Sequence, residues 1–565
     1  MKINKIIALA LVLAMLMCLC GCNRKDNNQS SSSGTETADE FVIYHSSKAL
    51  DSALAAAVRG YEKATGKKVG VKYVESGLAA AAEAEKPALY AVDSRDDLSD
   101  WYEKGLFGKI AEGLFGTGTE ISSGLWMSSG SGSYGVPLAL EGCGYIFDRD
   151  MLSDLFGVED VSDLVADLRE CSYNDFIGFV SAVETYIAAP SAAAVTVNGN
   201  KYTFAEAKTG RAQMLSGVFA LTSESSRAYE YLLNYALAAK FGGKSAVSAA
   251  AENDAAGAKE AFAAAARALD DLTSHIAGTG GAIGRGEEFM GGDYTYSAAV
   301  DAFTGGFALF YAGSSADAAD FKKSSVTFGE NLDILPMKLP LSEGDTTASG
   351  MSTEKLNRSI IITSRYYLAF NPNAEAAAAS AARDFVKWLY TDNAGMAAFS
   401  EAFGGVAFNY TEPAESSRAQ RSAASGSVST KSPAASTPES GANSADASSG
   451  TLDSILSTGE PDLSTPAASG EESAPSSSAG EGSASSGSEA AGGYALSDSL
   501  SRAVARYYTS GNWIPELVSA MPGSWRTDTF GKSLTDYWNK PDWTDEDRES
   551  LVSGWLNGWT EGMAK

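Results

Sequence analysis

Two histidines, His45 and His275, are the only imidazoles in 565 residues, and neither sits in a zinc-ligand spacing or beside a Gly-x-Ser-x-Gly elbow. Histidine-based hydrolysis is therefore poorly supported, and neither a metal site nor a cofactor is expected. Gly130-x-Gly132-x-x-Gly135 matches a dinucleotide fingerprint, but Val136-Pro137 and extended chain follow it, not a helix whose N-terminus could hold a pyrophosphate. Gly243-Lys244-Ser245 and Gly531-Lys532-Ser533 end like phosphate loops, yet Ala238 and Arg526 stand where the earlier glycine is needed. Asp93 and Glu141 remain as a carboxylate pair. Their separation decides between glycoside cleavage and plain hydrogen bonding to solvent or to a sugar hydroxyl. Of the tryptophans after residue 494, most fall at helical spacing and read as core, and Trp525 is the one assigned to stacking on a ligand ring.

These residues need elements to hold them. Phe41 to His45 reads as a short apolar strand, and Ser46 and Ser47 can cap the helix that follows, whose apolar face is Leu50, Leu54, Val58 and Tyr61. Thr65-Gly66 ends that helix before a second strand at Val69 to Val74, which gives a right-handed βαβ unit. A third strand at Ala88 to Val92 runs into Asp93. Ligands in open α/β sheets sit beyond the carboxyl ends of the strands. His45 to Ser47, the Glu75-Ser76-Gly77 loop and Asp93 are thereby placed at the mouth of a cleft. His45 reads equally as a ligand contact or as a satisfied structural residue. The glycine-punctuated stretch Tyr134 to Phe147, which contains Glu141 and Tyr145, is where the chain is expected to cross between lobes. Asn198-Gly199 between alternating residues predicts a two-residue hairpin.

With 44% hydrophobic residues the chain can bury a large core and is expected to fold as two linked lobes. Its formal charge of −28 repels phosphate backbones and anionic lipid, so nucleic acid is excluded as a partner and membrane attachment would need an anchor. Lys2, Lys5 and the apolar run Ile6 to Leu19 lay out a secretory signal, too short to span a bilayer. Leu19-Cys20-Gly21-Cys22 resembles the bacterial lipobox, and the resemblance implies acylation at Cys22. Cys143 and Cys171 are then the cysteines of the mature body, free to pair after export but read as two ordinary buried thiols.

Residues 23–40 are polar and read as a disordered tether. From 411 to 493 the composition turns to Ser, Ala, Gly, Pro and Glu, with no aromatic residue and no lasting periodicity. This reads as a disordered insertion within one lobe. Growing a loop from about ten to eighty residues costs roughly 2 kcal/mol in closure entropy, which a fold can absorb. Thr544-x-x-Asp547 marks the start of a final helix.

Taken in order, several segments resemble the extracellular solute-binding proteins of bacterial ABC importers, of the maltose-binding protein type (family 1). They are Phe41-Val-Ile-Tyr-His45 with Tyr61-Glu-Lys-Ala-Thr-Gly66, Tyr134-Gly-Val-Pro-Leu138 with Glu141 and Tyr145-Ile-Phe-Asp-Arg-Asp150, Gly305 to Gly313, and Tyr367 to Asn373 with Ala382 to Leu389. The resemblance implies an α/β, periplasmic-binding-protein-like fold of two lobes with a hinge and a ligand cleft between them. Its expected division is a signal peptide at 1–22, the tether at 23–40, lobe 1 at 41–142 and 343–410, and lobe 2 at 143–342 and 494–565, with the insertion at 411–493. It implies a monomeric receptor, lipid-anchored to the outer face of the cell membrane, that hands a small polar nutrient, foremost a carbohydrate, to a membrane permease. The ligand contacts expected are His45, Ser46, Ser47, Ser76, Asp93, Glu141, Tyr145, Ser314 and Trp525. Sugar binders of this type often carry Gly-Pro-Trp or Gly-Ser-Trp where this chain has Gly313-Ser314-Ser315, so one stacking platform is missing. The alternatives are the same receptor for a polyamine or small anion, and a surface-anchored glycan hydrolase.

Overall fold

The structure is a computed structural model that describes residues 40–411 and 494–563, apart from short gaps at 95–97, 118, 123, 130–131, 244–253, 279–280, 284, 291–293, 326–327, 342–345, 347–348, 495, 497, 519–520 and 522. The secretory signal, Cys22, most of the tether and nearly all of the 411–493 insertion lie outside the described residues. Among the described residues no helix is long and apolar enough to cross a membrane.

Two sheets organise the chain. The first has five strands in the order β2-β1-β3-β12-β4, with β1 at Phe41–His45, β2 at Val69–Tyr73, β3 at Leu89–Asp93, β4 at Val136–Pro137 and β12 at Tyr366–Phe370. Strands β1, β2 and β3 are parallel, and β12 runs against both β3 and β4. The carboxyl ends of β1, β3 and β4 and the start of β12 therefore share one edge. The helix Lys48–Thr65 forms because its apolar residues recur on one face, and Gly66 ends it at φ 76°, a left-handed conformation that glycine adopts without cost. Its Tyr61 meets Phe385 and Trp388 edge-on at 5.2 and 5.1 Å, which buries the helix against Ala376–Thr391.

The second sheet has eight strands. Its path is β8-β7-β6-β9-β5-β11-β13, where β5 is Glu141–Asp148, β6 Gly217–Ala220, β7 Ile276–Gly278, β8 Gly281–Ile283, β9 Ala308–Ser314, β11 Ile360–Thr363 and β13 Trp513–Pro515; β10, Leu332–Leu335, also pairs with β5. Strands β6, β7, β9, β11 and β13 point one way and β5 the other. The register sets Thr363 beside Glu141 and Ile362 beside Pro515. Strand β5 is crowded on both sides. A Cβ at Gly142 would stand 2.6 Å from Val504 and one at Gly144 only 2.3 Å from the Leu335 carbonyl, so the glycines of this run are required by close approach. An aromatic stack of Tyr145, Phe176, Phe219 and Phe310 fills this lobe beside the sheet. Helices Asp545–Met563 and Ala255–Thr273 pack together behind it.

The sheets are joined by short passes of chain at 138–140 and 364–365, and the segment 404–411 runs beside the first of them. The 138–140 pass is bonded on both sides, Leu138 N donating to Tyr366 O at the start of β12 at 2.8 Å and Leu140 N to Val406 O at 2.7 Å. The return to the first lobe, expected at residue 343, comes later. In the structure the helix Thr353–Arg358 and β11 still belong to the second lobe, and the chain returns only after Thr363. The Ile360 to Phe370 stretch, one unit by hydropathy, is two strands in different sheets, because Ser364 and Arg365 break it with polar side chains. The hairpin predicted at Asn198-Gly199 is present, with φ values of 50° and 83° as its tight turn demands. Thr544 and Asp547 cap the final helix reciprocally.

Candidate functional site

Strand direction alone brings the site together. The edge of the first sheet offers the loop after β1, the end of β3 and the start of β12. The edge of the second offers Glu141, Ser314, Thr363 and the chain after Pro515. The two edges meet at the crossing passes, so residues far apart in sequence become neighbours there.

Glu141 is the centre of the second edge. Ser314 Oγ donates to its Oε2 at 3.0 Å, and Arg227, at the start of the helix after β6, approaches the same oxygen at 3.8 Å. Ser314 is held by a capping box with Asp317, and Gly142 N donates to Ser315 Oγ at 3.0 Å, which ties this loop to β5. Burial raises the Glu141 carboxyl above its usual range, while Arg227 and Ser314 act to lower it. Tyr231, with Glu141 and Glu516, holds Arg227 firmly charged, and Arg227 Nε donates to the Tyr231 hydroxyl at 2.9 Å. Thr363 Oγ1 donates to Glu516 at 2.6 Å. Glu516 is positioned by Asn234, whose side chain donates to Pro515 O at 2.9 Å and accepts from Leu517 and Val518.

On the first edge, Asp93 ends β3 and pairs with Arg365 Nε at 3.4 Å. Ser47 shares a hydrogen bond of 2.9 Å with the Tyr366 hydroxyl. Ser47 occupies the N-cap position of its helix but makes no side-chain cap bond, because its hydroxyl is spent on Tyr366.

Of the residues expected from sequence, Ser47, Asp93, Glu141 and Ser314 come together around the crossing passes, and Ser46 lies beside Ser47. His45 is fully buried, with Nδ1 3.1 Å from Ser47 O and Nε2 3.4 Å from Asp51, so it braces the loop from behind. Ser76 is exposed in the loop after β2. Two expected contacts lie elsewhere. Tyr145 points into the second lobe's core and stacks on Phe176 at 5.2 Å. Trp525 is 2% exposed, stacks against Phe262 and Phe530, and donates its indole N–H to Trp555 O at 3.0 Å, which leaves it no face for a ligand. Cys143 and Cys171 are both buried and free.

Sequence reasoning missed Arg227, Thr363, Arg365, Tyr366 and Glu516. A signal existed for Arg227, which opens the helix that follows the loop after β6, as Ser47 and Asp93 follow or end strands of the first sheet. Among the described residues no cluster of His, Cys, Asp or Glu is arranged to hold a metal ion.

Two α/β lobes with facing strand ends, joined by crossing passes that carry oriented polar groups, define a two-lobed binding protein. The chain belongs to the bacterial extracellular solute-binding protein family, which matches residues 56–424. The family is one of binding proteins, and its place is outside the cytoplasm. No curated protein matches the sequence. Solved structures share the fold. A chitin oligosaccharide binding protein is 14% identical with a TM-score of 0.51, over 93% of this chain and 99% of its own. The solute receptor AcbH, described as having an exclusive preference for β-D-galactopyranose, is 10% identical with a TM-score of 0.52, over 92% and 96%. A periplasmic solute binding protein from Pectobacterium atrosepticum is 11% identical with a TM-score of 0.51, over 93% and 99%.

Proposed function

We propose that this chain is the solute-binding lipoprotein of an ABC importer, anchored through Cys22, and that it captures a neutral, hydroxyl-rich nutrient, foremost a carbohydrate, for delivery to a membrane permease. The observation that carries this reading is the pairing around the crossing passes. Asp93 faces Arg365, Glu141 faces Arg227 and Ser314, Glu516 faces Thr363, and Ser47 faces Tyr366. A wall in which acids are matched by cations or hydroxyls presents donors and acceptors in fixed directions with little net charge to satisfy. Sugar hydroxyls, which donate and accept at once, suit such a wall better than a polyamine or a small anion does. That two proteins of the same fold bind sugars supports the choice. Ligand touching both edges favours the arrangement in which both are in reach, and that differential contact shifts the hinge equilibrium.

The test is a thermal-shift screen of the chain from Asn23 onward against sugars, polyamines and anions, followed by recovery of the ligand. A saturable rise in melting temperature with a sugar recovered intact is expected. A shift confined to polyamines or anions, or a cleaved glycan, would replace this reading.

A further inference from the structure

A groove adjoins the candidate site at the crossing passes and shares Glu141, Ser315 and Tyr366 with it. It has a volume of about 440 Å³ and is floored by Leu138 to Glu141 and Tyr366. Its walls come from both lobes, with Ala49, Ala53 and Ala402 to Gly405 on one side and Ser315 to Ala319, Lys322, Asp498 and Ser501 on the other. Alanine, leucine and glycine dominate this lining, and the volume falls within the range of small-ligand pockets. Lys322, exposed at its rim, has no ion pair among the described residues.

The chain itself points to an occupant. The 411–493 insertion leaves the fold within a few residues of Gly405 and re-enters just before Asp498, so both of its ends lie at this rim. Between 412 and 493 the large aliphatic residues are Val428, Leu452, Ile455, Leu456 and Leu463. Three of these five fall at i, i+3 and i+4, the spacing by which a short helical segment anchors in an apolar groove. Asp453, next to the first anchor, supplies the charge that Lys322 lacks. About 40 residues lie between the fold and the anchors on each side.

We infer that the segment Thr451 to Ser457 docks into this inter-lobe groove of its own chain, with Leu452, Ile455 and Leu456 as the apolar anchors. The inference does not depend on which solute the cleft binds, although the groove shares Glu141 and Tyr366 with the proposed binding wall.

Cysteine pairing in the whole chain tests it. Ile455→Cys with Ala319→Cys, under mild oxidation, is expected to form an intramolecular disulfide at least tenfold faster than Val428→Cys with Ala319→Cys, although residue 428 is tethered closer to the fold. Equal rates would overturn the inference, and crosslinked dimers in place of the intramolecular product would assign the groove to a second copy. Hydrogen exchange provides a measurement free of engineered cysteines. Amides at 451–457 are expected to exchange at least tenfold more slowly than those at 440–449, and the difference should vanish when Leu452, Ile455 and Leu456 are all changed to Ser. Exchange at 451–457 as fast as its neighbours in the unaltered chain refutes docking.

Discussion

Lys338 allows a pH experiment whose sign and size follow from its surroundings. Its ammonium is 1% exposed and donates to two carbonyls, Arg169 O at 2.6 Å and Asn357 O at 2.5 Å, which tie the helices Ser162–Glu170 and Thr353–Arg358 together. Burial outweighs these bonds and pushes its pKa from 10.5 down to about 8. Below pH 8 the side chain is charged in both the folded and unfolded states, and the folded state bears the whole cost of the buried charge. Between about 8 and 10.5 the unfolded chain binds the extra proton, so stability rises with pH. The gain attributable to this residue is about 1 kcal/mol between pH 7 and 9, and it approaches about 3 kcal/mol above pH 10.5. Urea unfolding at pH 7, 8 and 9 should therefore show the difference between the unaltered chain and Lys338→Met shifting in favour of the former by about 1 kcal/mol. The range stops at pH 9 because Cys171, raised to about 11, contributes in the opposite direction above that point. Parallel pH dependences for the two proteins would mean that the ammonium is solvated or neutralised in some other way, and the argument would fail.

Arg227→Met should leave the fold intact while weakening the sugar-induced thermal shift at least tenfold in apparent affinity, since Glu141 loses its cation at the site; an undiminished shift would remove Arg227 from the binding wall. Asp333 is 1% exposed and accepts from Arg149, Arg169 and Arg506, so Asp333→Ala should cost about 3–5 kcal/mol in urea unfolding, against less than 1 if the three arginines relax into solvent. Trp525→Ala should destabilise by about 3–5 kcal/mol with ligand affinity preserved in whatever fraction folds, whereas lost affinity with full stability would return Trp525 to the site. Cys22→Ala should abolish incorporation of a labelled fatty acid and release the protein from cells, and labelling that persists would move the anchor to another residue.

The first lobe's opening was readable because its signals are local. Leu50, Leu54, Val58 and Tyr61 recur at helical spacing, and the strands on either side end in turn residues, so the positions of Ser47 and Asp93 follow from strand direction alone. Asn198-Gly199 was legible for the same reason, since two residues fix that turn. What escaped is non-local. Thr363 and Glu516 meet only because β11 pairs with β13 across about 150 residues of chain. Arg365 and Tyr366 lie in a hydropathic run that looks continuous and is in fact the passage between sheets. Trp525 and Tyr145 were misplaced because an aromatic ring has the same hydropathy in a core as on a binding floor. Only the partners, Phe262 and Phe530 for one and Phe176 for the other, distinguish the two.

The bonded passes limit how the molecule bends. Leu138 is bonded to Tyr366 and Leu140 to Val406, so the 138–140 pass is fixed on both sides, and twisting it alone would break bonds worth about 1 kcal/mol each. Flexing is thereby directed to the ends of the connection, at Glu141 and Ser364 and at Gly404, which closes the helix Asn393–Phe403 in the left-handed conformation (φ 64°). Two of those ends adjoin the residues proposed to grip the solute, so the pivot and the grip are the same few peptides.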